Sequence, residues 1–237
     1  MFGVSLATSV LAAGFAADLL RRWLKNRVRR HLIWWAAGVI AYGVGTLAAA
    51  VIERSGWSPG WFRTWYVAGA ILGGALLAQG TAYLLHRADA ADRLAQSVGV
   101  VAVGAACALM LAPISPLPSG DLAGRSIDWA WVRAFTPVLN VYAVVYLVGG
   151  AIWSAVRLRR RGEGSGRRVA GNVLIAAGGL TPAAGGLASR LGGADALPPT
   201  LLVGLTLIWV GAVLAARPPR SQQPTADSRQ QDRRPRV

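Results

Sequence analysis

The chain has 237 residues, of which 54% are hydrophobic and only 15% are charged. A soluble domain carries about 25% charged residues, so the composition argues against a soluble protein and favours one whose main solvent is lipid. The formal net charge of +15 would suggest a nucleic-acid ligand in a soluble protein. Here the positions of the charges fit membrane topology instead, and we expect no nucleic-acid partner. The single cysteine, Cys107, excludes a disulfide within one chain.

Seven apolar segments follow one another along the chain, each long enough to cross about 30 Å of hydrocarbon as a helix. Ser58 and Pro59 predict the N-cap and first turn of the third helix, and Pro199 does the same for the seventh. The predicted fold is all-α, a polytopic seven-transmembrane helix bundle that forms one domain over residues 1–216. The predicted spans are 2–20, 32–52, 59–86, 95–114, 134–156, 169–189 and 199–216.

The basic residues lie on alternate connections between these segments. Of the 25 Lys and Arg residues, 20 fall on one side and 5 on the other. The positive-inside rule therefore predicts the N-terminus outside and the C-terminus in the cytoplasm, which requires an odd number of spans. Residues 217–237, rich in Pro, Gln, Ser and Arg, predict a disordered basic cytoplasmic tail. The abundance of Arg, Ala and Gly indicates a GC-rich bacterial genome, so we expect a multi-pass protein of a bacterial inner membrane.

Small residues form stripes along three of the predicted helices. In lipid, small residues allow two helix backbones to approach closely and gain dispersion contacts. The stripes predict packing within the chain, with a face for a homo-oligomer as the alternative. They consist of Gly171, Gly178 and Gly185 in the sixth segment, Gly69 and Gly73 in the third, and Gly38 and Gly45 in the second.

A few polar residues and one proline lie inside the spans. Pro182, with glycines on both sides, predicts a kink or a short unwound stretch in the sixth helix, and broken helices at that depth often line a site. Buried amides in lipid need partners, so hydrogen bonds between helices are the default interpretation. The alternative is a polar binding pocket. The candidate pocket residues are Gln79, Asn140, Asn172, Thr181 and Pro182.

Two connections on the predicted outer side combine tryptophan, arginine and acidic residues. Amphipathic rings prefer the membrane interface, so plain anchoring is the first interpretation. The alternative is an aromatic, charged outer mouth that receives an amphiphile or a lipid headgroup. The candidate mouth residues are Arg54, Trp57, Trp61, Arg63, Trp129 and Arg133.

The sequence contains no clear motif for catalysis or for a cofactor. No Asp, Glu, Lys or Arg falls in the middle of a predicted span, which weakens proton-coupled or ion-driven transport. His31 and His86, the two histidines, fall at predicted inner ends, and no His, Cys and carboxylate cluster suggests a metal. We therefore expect no catalytic residue, no cofactor and no enzyme activity.

These observations leave the function open between two classes. The leading hypothesis is a non-enzymatic membrane protein, such as a sensor, scaffold or accessory subunit, that acts by binding. The alternative is a carrier for a neutral or amphiphilic small molecule or a lipid. The expected partners are the lipid bilayer, anionic lipid at the basic cytoplasmic face, and either a second copy of the chain or another protein.

Overall fold

A computed structural model describes residues 1–117, 122–161, 166–190 and 196–216. Within these ranges the chain is helical apart from turns, connections and an isolated bridge between Ile114 and Ile127. It has seven helices long and apolar enough to cross a membrane, as expected of a multi-pass membrane protein. The prediction of an all-α chain with seven such helices is confirmed. The tail predicted over 217–237 lies outside the described residues.

The seven long helices run in alternating directions through the bundle. They are α1 (Phe2–Lys25), α2 (Arg30–Ser55), α3 (Pro59–Leu85), α4 (Ala88–Leu111), α5 (Ala130–Arg160), α6 (Gly166–Arg190) and α7 (Leu197–Ala216). We call the end of the bundle with connections 26–29 and 86–87 the basic end. As predicted, Pro59 begins α3, and the Ser58 hydroxyl accepts a hydrogen bond from the Trp61 N–H.

Two apolar clusters hold the helices together. The first contains buried residues from every long helix except α4, with Phe15, Val39 and Leu205 among them. The second joins α3, α4 and the first half of α5, and it includes Phe62 and Leu109. The helix α4 contributes buried residues to the second cluster and none to the first. It therefore lies at the edge of the bundle.

Glycines occur where helix backbones touch. A Cβ atom built on Gly178 of α6 would lie 2.5 Å from the Gly204 carbonyl oxygen of α7. One built on Gly45 of α2 would lie 2.8 Å from the Gly69 Cα of α3. A side chain at either site would separate the helices, so these glycines serve packing within the chain, which was the first of the two interpretations.

Pro182 also serves the contact between α6 and α7. The helix α6 is continuous through Pro182, so the predicted alternative of an unwound stretch is wrong. Proline has no N–H, which leaves the Gly178 carbonyl without its usual helix donor. A Cβ built on Gly204 of α7 would lie 2.8 Å from that oxygen and 3.1 Å from the Pro182 Cδ. Such close backbone approach allows a weak Cα–H···O contact to satisfy the carbonyl.

Candidate functional site

Polar contacts attach α4 to the bundle at its basic end. The Gln79 Nε2 of α3 donates a hydrogen bond of 2.8 Å to the Ala91 carbonyl oxygen. One helical turn away, the Tyr83 hydroxyl donates to Asp92 Oδ1. The Arg30 guanidinium of α2 reaches the other carboxylate oxygen of Asp92 at 3.3 Å. The first turns of α4 are thus tied to two neighbouring helices.

Arg63 attaches the other end of α4. Its Nε donates to the Leu109 carbonyl oxygen at 3.3 Å, and its Nη2 donates to the Ala112 carbonyl oxygen at 3.2 Å. The last carbonyls of a helix have no partner within the helix, and a positive charge at that end is favourable. Arg63, predicted for an outer mouth, therefore caps the C-terminal end of α4.

Between these two attachments a cleft runs alongside α3 and α4, although Ala102 and Ala105 of α4 stay buried in the second apolar cluster. Its cavity volume is about 210 Å³. Along α4 the lining extends from Ala95 to Ala106, about 16 Å at a rise of 1.5 Å per residue. The cleft is narrow, long and apolar. Its lining residues are Trp34 of α2, Leu72, Ala75, Leu76 and Gln79 of α3, and Ala95, Val98, Gly99, Ala102, Val103 and Ala106 of α4.

Gln79 contributes an amide side chain to a lining that is otherwise apolar. The residue is only 1% exposed, and its Oε1 accepts a 2.5 Å hydrogen bond from the Tyr142 hydroxyl of α5. Tyr142 in turn packs on Tyr146, with ring centroids 4.8 Å apart. Through its Nε2 and Oε1 atoms, the Gln79 side chain links α3, α4 and α5 at one point. Because both atoms have a hydrogen-bond partner, the amide is stable in an apolar environment.

One π-helical segment lines part of the cleft, and a second lies in α5, which contributes no residue to the lining. Tyr66–Gly73 lies in α3 and contributes Leu72 to the lining, and Val144–Gly149 follows Tyr142 in α5. Segments of π-helix are rare and occur frequently at functional sites. Their position on both sides of the Gln79–Tyr142 hydrogen bond marks this part of the bundle as the candidate site.

The other four predicted pocket residues lie away from the cleft. Asn140 is exposed on α5. The Asn172 Nδ2 donates to the Arg168 carbonyl oxygen of its own helix at 2.9 Å, and Thr181 bonds similarly to the Ala177 carbonyl at 2.8 Å. Pro182 packs on α7, as described above. Of the five predicted pocket residues, the structure therefore places only Gln79 in the candidate site.

The predicted mouth residues have different surroundings. Arg54 and Trp61 are exposed. Trp57 packs on Phe62 in the second apolar cluster, with ring centroids 6.2 Å apart. Trp129 stacks on Trp131 at 5.7 Å. Arg133 is half-buried near the start of α5. Arg63 is engaged with α4, and the role of the remaining residues as a mouth stays a prediction.

Sequence reasoning missed the α4 side of the cleft. The signal was present as a stripe of small residues that share one helix face at spacings of three and four. This stripe consists of Ala91, Ala95, Gly99, Ala102 and Ala106. In a helix rich in alanine and glycine such a stripe predicts close packing, whereas here part of it faces a cavity.

Among the described residues, no group of three or more His, Cys, Asp or Glu side chains could hold a metal ion. No family model matches the chain, and neither a curated protein nor a solved structure matches it. The function is therefore argued from the geometry of this chain.

Proposed function

We propose that this chain is a non-enzymatic integral membrane protein that acts by binding, as a sensor, scaffold or accessory subunit. Its ligand is the hydrocarbon chain of a membrane amphiphile, held in the cleft between α3 and α4. The observation that carries this proposal is the arrangement of α4, which polar contacts attach at both ends while residues from its middle and from α3 line an apolar cavity.

The dimensions of the cleft favour a single flexible chain. Pockets for drug-sized ligands usually have volumes of about 300–1,000 Å³, and this cavity has only about 210 Å³. A volume this small, spread over a length of about 16 Å, suits an acyl chain better than a ring system. In a bilayer the acyl chain is already surrounded by hydrocarbon before it binds. Its binding therefore gains little from the hydrophobic effect and depends on packing against the helices.

Photocrosslinking in vesicles tests this proposal. The probe is phosphatidylcholine with a diazirine in one acyl chain, and the crosslinked residues are mapped by mass spectrometry. Gly99→Leu should fill the cleft and remove crosslinks to its lining. Gly104→Leu is the matched control, because Gly104 is exposed on the same helix and a built Cβ meets no atom within 4 Å at either position.

Two results are informative. Crosslinks concentrated between 95 and 106, lost in the Gly99 variant and kept in the Gly104 variant, would support a chain held in the cleft. Crosslinks spread over exposed residues such as Val100 and Leu111, and unchanged by either substitution, would indicate ordinary boundary lipid and reject the proposal.

We also infer that the basic end faces the cytoplasm of a bacterium, with the chain in the inner membrane. The support is the distribution of the basic residues along the sequence, since 20 of 25 fall on the connections and the tail that the predicted alternation assigns to that side. A green fluorescent protein inserted at 86–87 should fluoresce, and an alkaline phosphatase inserted at 56–58 should be active. The reverse pattern would overturn this orientation.

The carrier alternative has one supporting observation, which is the π-helical segment of α3 that lines the cleft, together with a second such segment in α5. Such segments occur frequently at functional sites. A carrier for lipid should accelerate the transfer of fluorescent phosphatidylcholine between the leaflets of vesicles, and Gly99→Leu should abolish that acceleration. Crosslinking in the cleft without accelerated transfer would leave binding as the function.

A further inference from the structure

Resting on the proposed function, we propose that the amphiphile in the cleft is an anionic phospholipid. One of its chains lies between α3 and α4, and its phosphate lies beside Arg30 at the basic end. Three side chains, Arg30, Tyr83 and Asp92, carry this proposal, and we call them the polar rim.

The polar rim lies at the basic-end opening of the cleft. Arg30 precedes the lining residue Trp34 by one turn of α2, and Tyr83 follows the lining residue Gln79 by one turn of α3. Residues four apart share one face of a helix. The rings of Trp34 and Tyr83 stack with centroids 6.0 Å apart. The polar rim therefore continues the same groove toward the end of the bundle.

The cleft and the polar rim lie at positions along the helix axis that match the acyl chain and the phosphate of a phospholipid. Ala95, the lining residue of α4 nearest the basic end, is seven residues from the first residue of that helix, Ala88. This corresponds to about 10 Å along the axis. The cleft thus begins inside the helix, where hydrocarbon is expected, while the polar rim lies nearer the helix ends, where phosphates are expected.

The ion pair in the polar rim can give way to a phosphate. The Arg30 and Asp92 side chains are 60% and 44% exposed, and their closest atoms are 3.3 Å apart. An exposed pair of this kind contributes little to stability. A guanidinium binds a phosphate with two parallel hydrogen bonds, so Arg30 can exchange its partner at small cost.

The surroundings of the polar rim favour a negative headgroup. Four further arginines are exposed close in sequence to the polar rim, on the connections before α2 and α4 and on the first turns of α4, while Asp89 is the exposed acid among them. Each basic residue near an anionic membrane surface adds attraction for anionic lipid. The four arginines are Arg27, Arg29, Arg87 and Arg93.

Native mass spectrometry of the full chain tests the inference. The protein in neutral detergent is offered phosphatidylglycerol and phosphatidylcholine with identical chains. The wild-type chain should retain more phosphatidylglycerol. Arg30→Gln should lower that preference about tenfold, the factor expected for losing a hydrogen bond to a charged group, because only this guanidinium contacts the bound phosphate directly. Arg167→Gln is the matched control, because it removes the same charge from an exposed site on α6 and should change the preference less than about twofold.

Asp92→Asn separates a headgroup site from a structural contact. It breaks the same ion pair as Arg30→Gln but removes a negative charge, so it should raise the preference for phosphatidylglycerol. If both variants lower it equally, the polar rim is only structural and the inference is overturned. Arg30→Lys keeps the charge and should keep most of the preference, which distinguishes loss of charge from misfolding.

Failure of the inference and failure of the proposed function give different results. Equal retention of the two lipids by the wild-type chain, with both reduced by Gly99→Leu, would overturn the anionic headgroup and leave chain binding intact. Retention of both lipids at wild-type levels in Gly99→Leu would reject chain binding itself.

Discussion

Replacing Gly178 with alanine should destabilise the protein, because the added methyl group has no room between α6 and α7. The new Cβ would lie 2.5 Å from the Gly204 carbonyl oxygen, 2.8 Å from the Ile208 Cγ1 and 3.0 Å from the Ile208 nitrogen. Two of these atoms belong to the α7 backbone and cannot rotate away. The helices must separate by several tenths of an ångström or more, and overpacking of this kind costs about 1–3 kcal/mol.

Thermal unfolding in detergent, followed by circular dichroism, measures this cost. For a chain of this size 1 kcal/mol corresponds to about 2–4 °C in Tm, so Gly178→Ala should lower Tm by about 2–12 °C. Gly186→Ala is the control on the same helix, since its built Cβ has no atom within 4 Å. Alanine also favours a helix over glycine by up to about 1 kcal/mol, so the control should keep or slightly raise Tm.

Equal Tm values for the two variants would refute the reasoning. They would mean that α6 and α7 do not touch through their backbones at Gly178. The stripe of glycines in α6 would then need another explanation, and a face for a second copy of the chain would become the better interpretation.

Three further substitutions test the contacts around α4 and α2. Gln79→Leu leaves the Tyr142 hydroxyl without its acceptor and should cost about 1–3 kcal/mol; an unchanged Tm would contradict both Gln79 bonds. Arg63→Met removes two bonds onto the last carbonyls of α4, so hydrogen exchange should accelerate there and not at the start of α4. Uniform exchange along α4 would argue against capping. Tyr42→Phe removes a 2.9 Å bond to the Leu201 carbonyl and should cost about 0.6 kcal/mol, or about 1–2 °C; a much larger shift would mean that the ring also moves.

The helices themselves were predictable because bilayer thickness sets their length and because lipid requires their backbone groups to pair internally. The ends were less predictable. The fourth span was expected to begin at 95, and α4 begins at Ala88. The residues between include Asp89, Asp92 and Arg93, which hydropathy excludes from a span. A helix can continue past the hydrocarbon where charged side chains reach water, so polarity marks the membrane boundary and not the helix end.

The contacts of the candidate site were only partly predictable. Gln79 and Tyr83 are four residues apart, which places them on one face of α3, and both do reach α4. Spacing within a helix cannot say which neighbour that face meets. Gln79 was grouped with Asn140 because both are amides, yet its partner on α5 is Tyr142, two residues further along and on another face. Only the packing of whole helices decides such a choice, and one sequence carries little information about it.

The contact between α1 and α7 has a consequence for the order of events during synthesis. Phe15 stacks on Trp209 at 5.4 Å, and the Trp209 indole donates to Asp18 at 3.3 Å. Trp209 follows Phe15 by 194 residues, which at about 5–20 residues per second is roughly ten to forty seconds of translation. For that time the face of α1 that carries Phe15 lacks its partner on α7. Any factor that shields nascent helices has this interval in which to hold α1, because the contact cannot form before α7 has been synthesised.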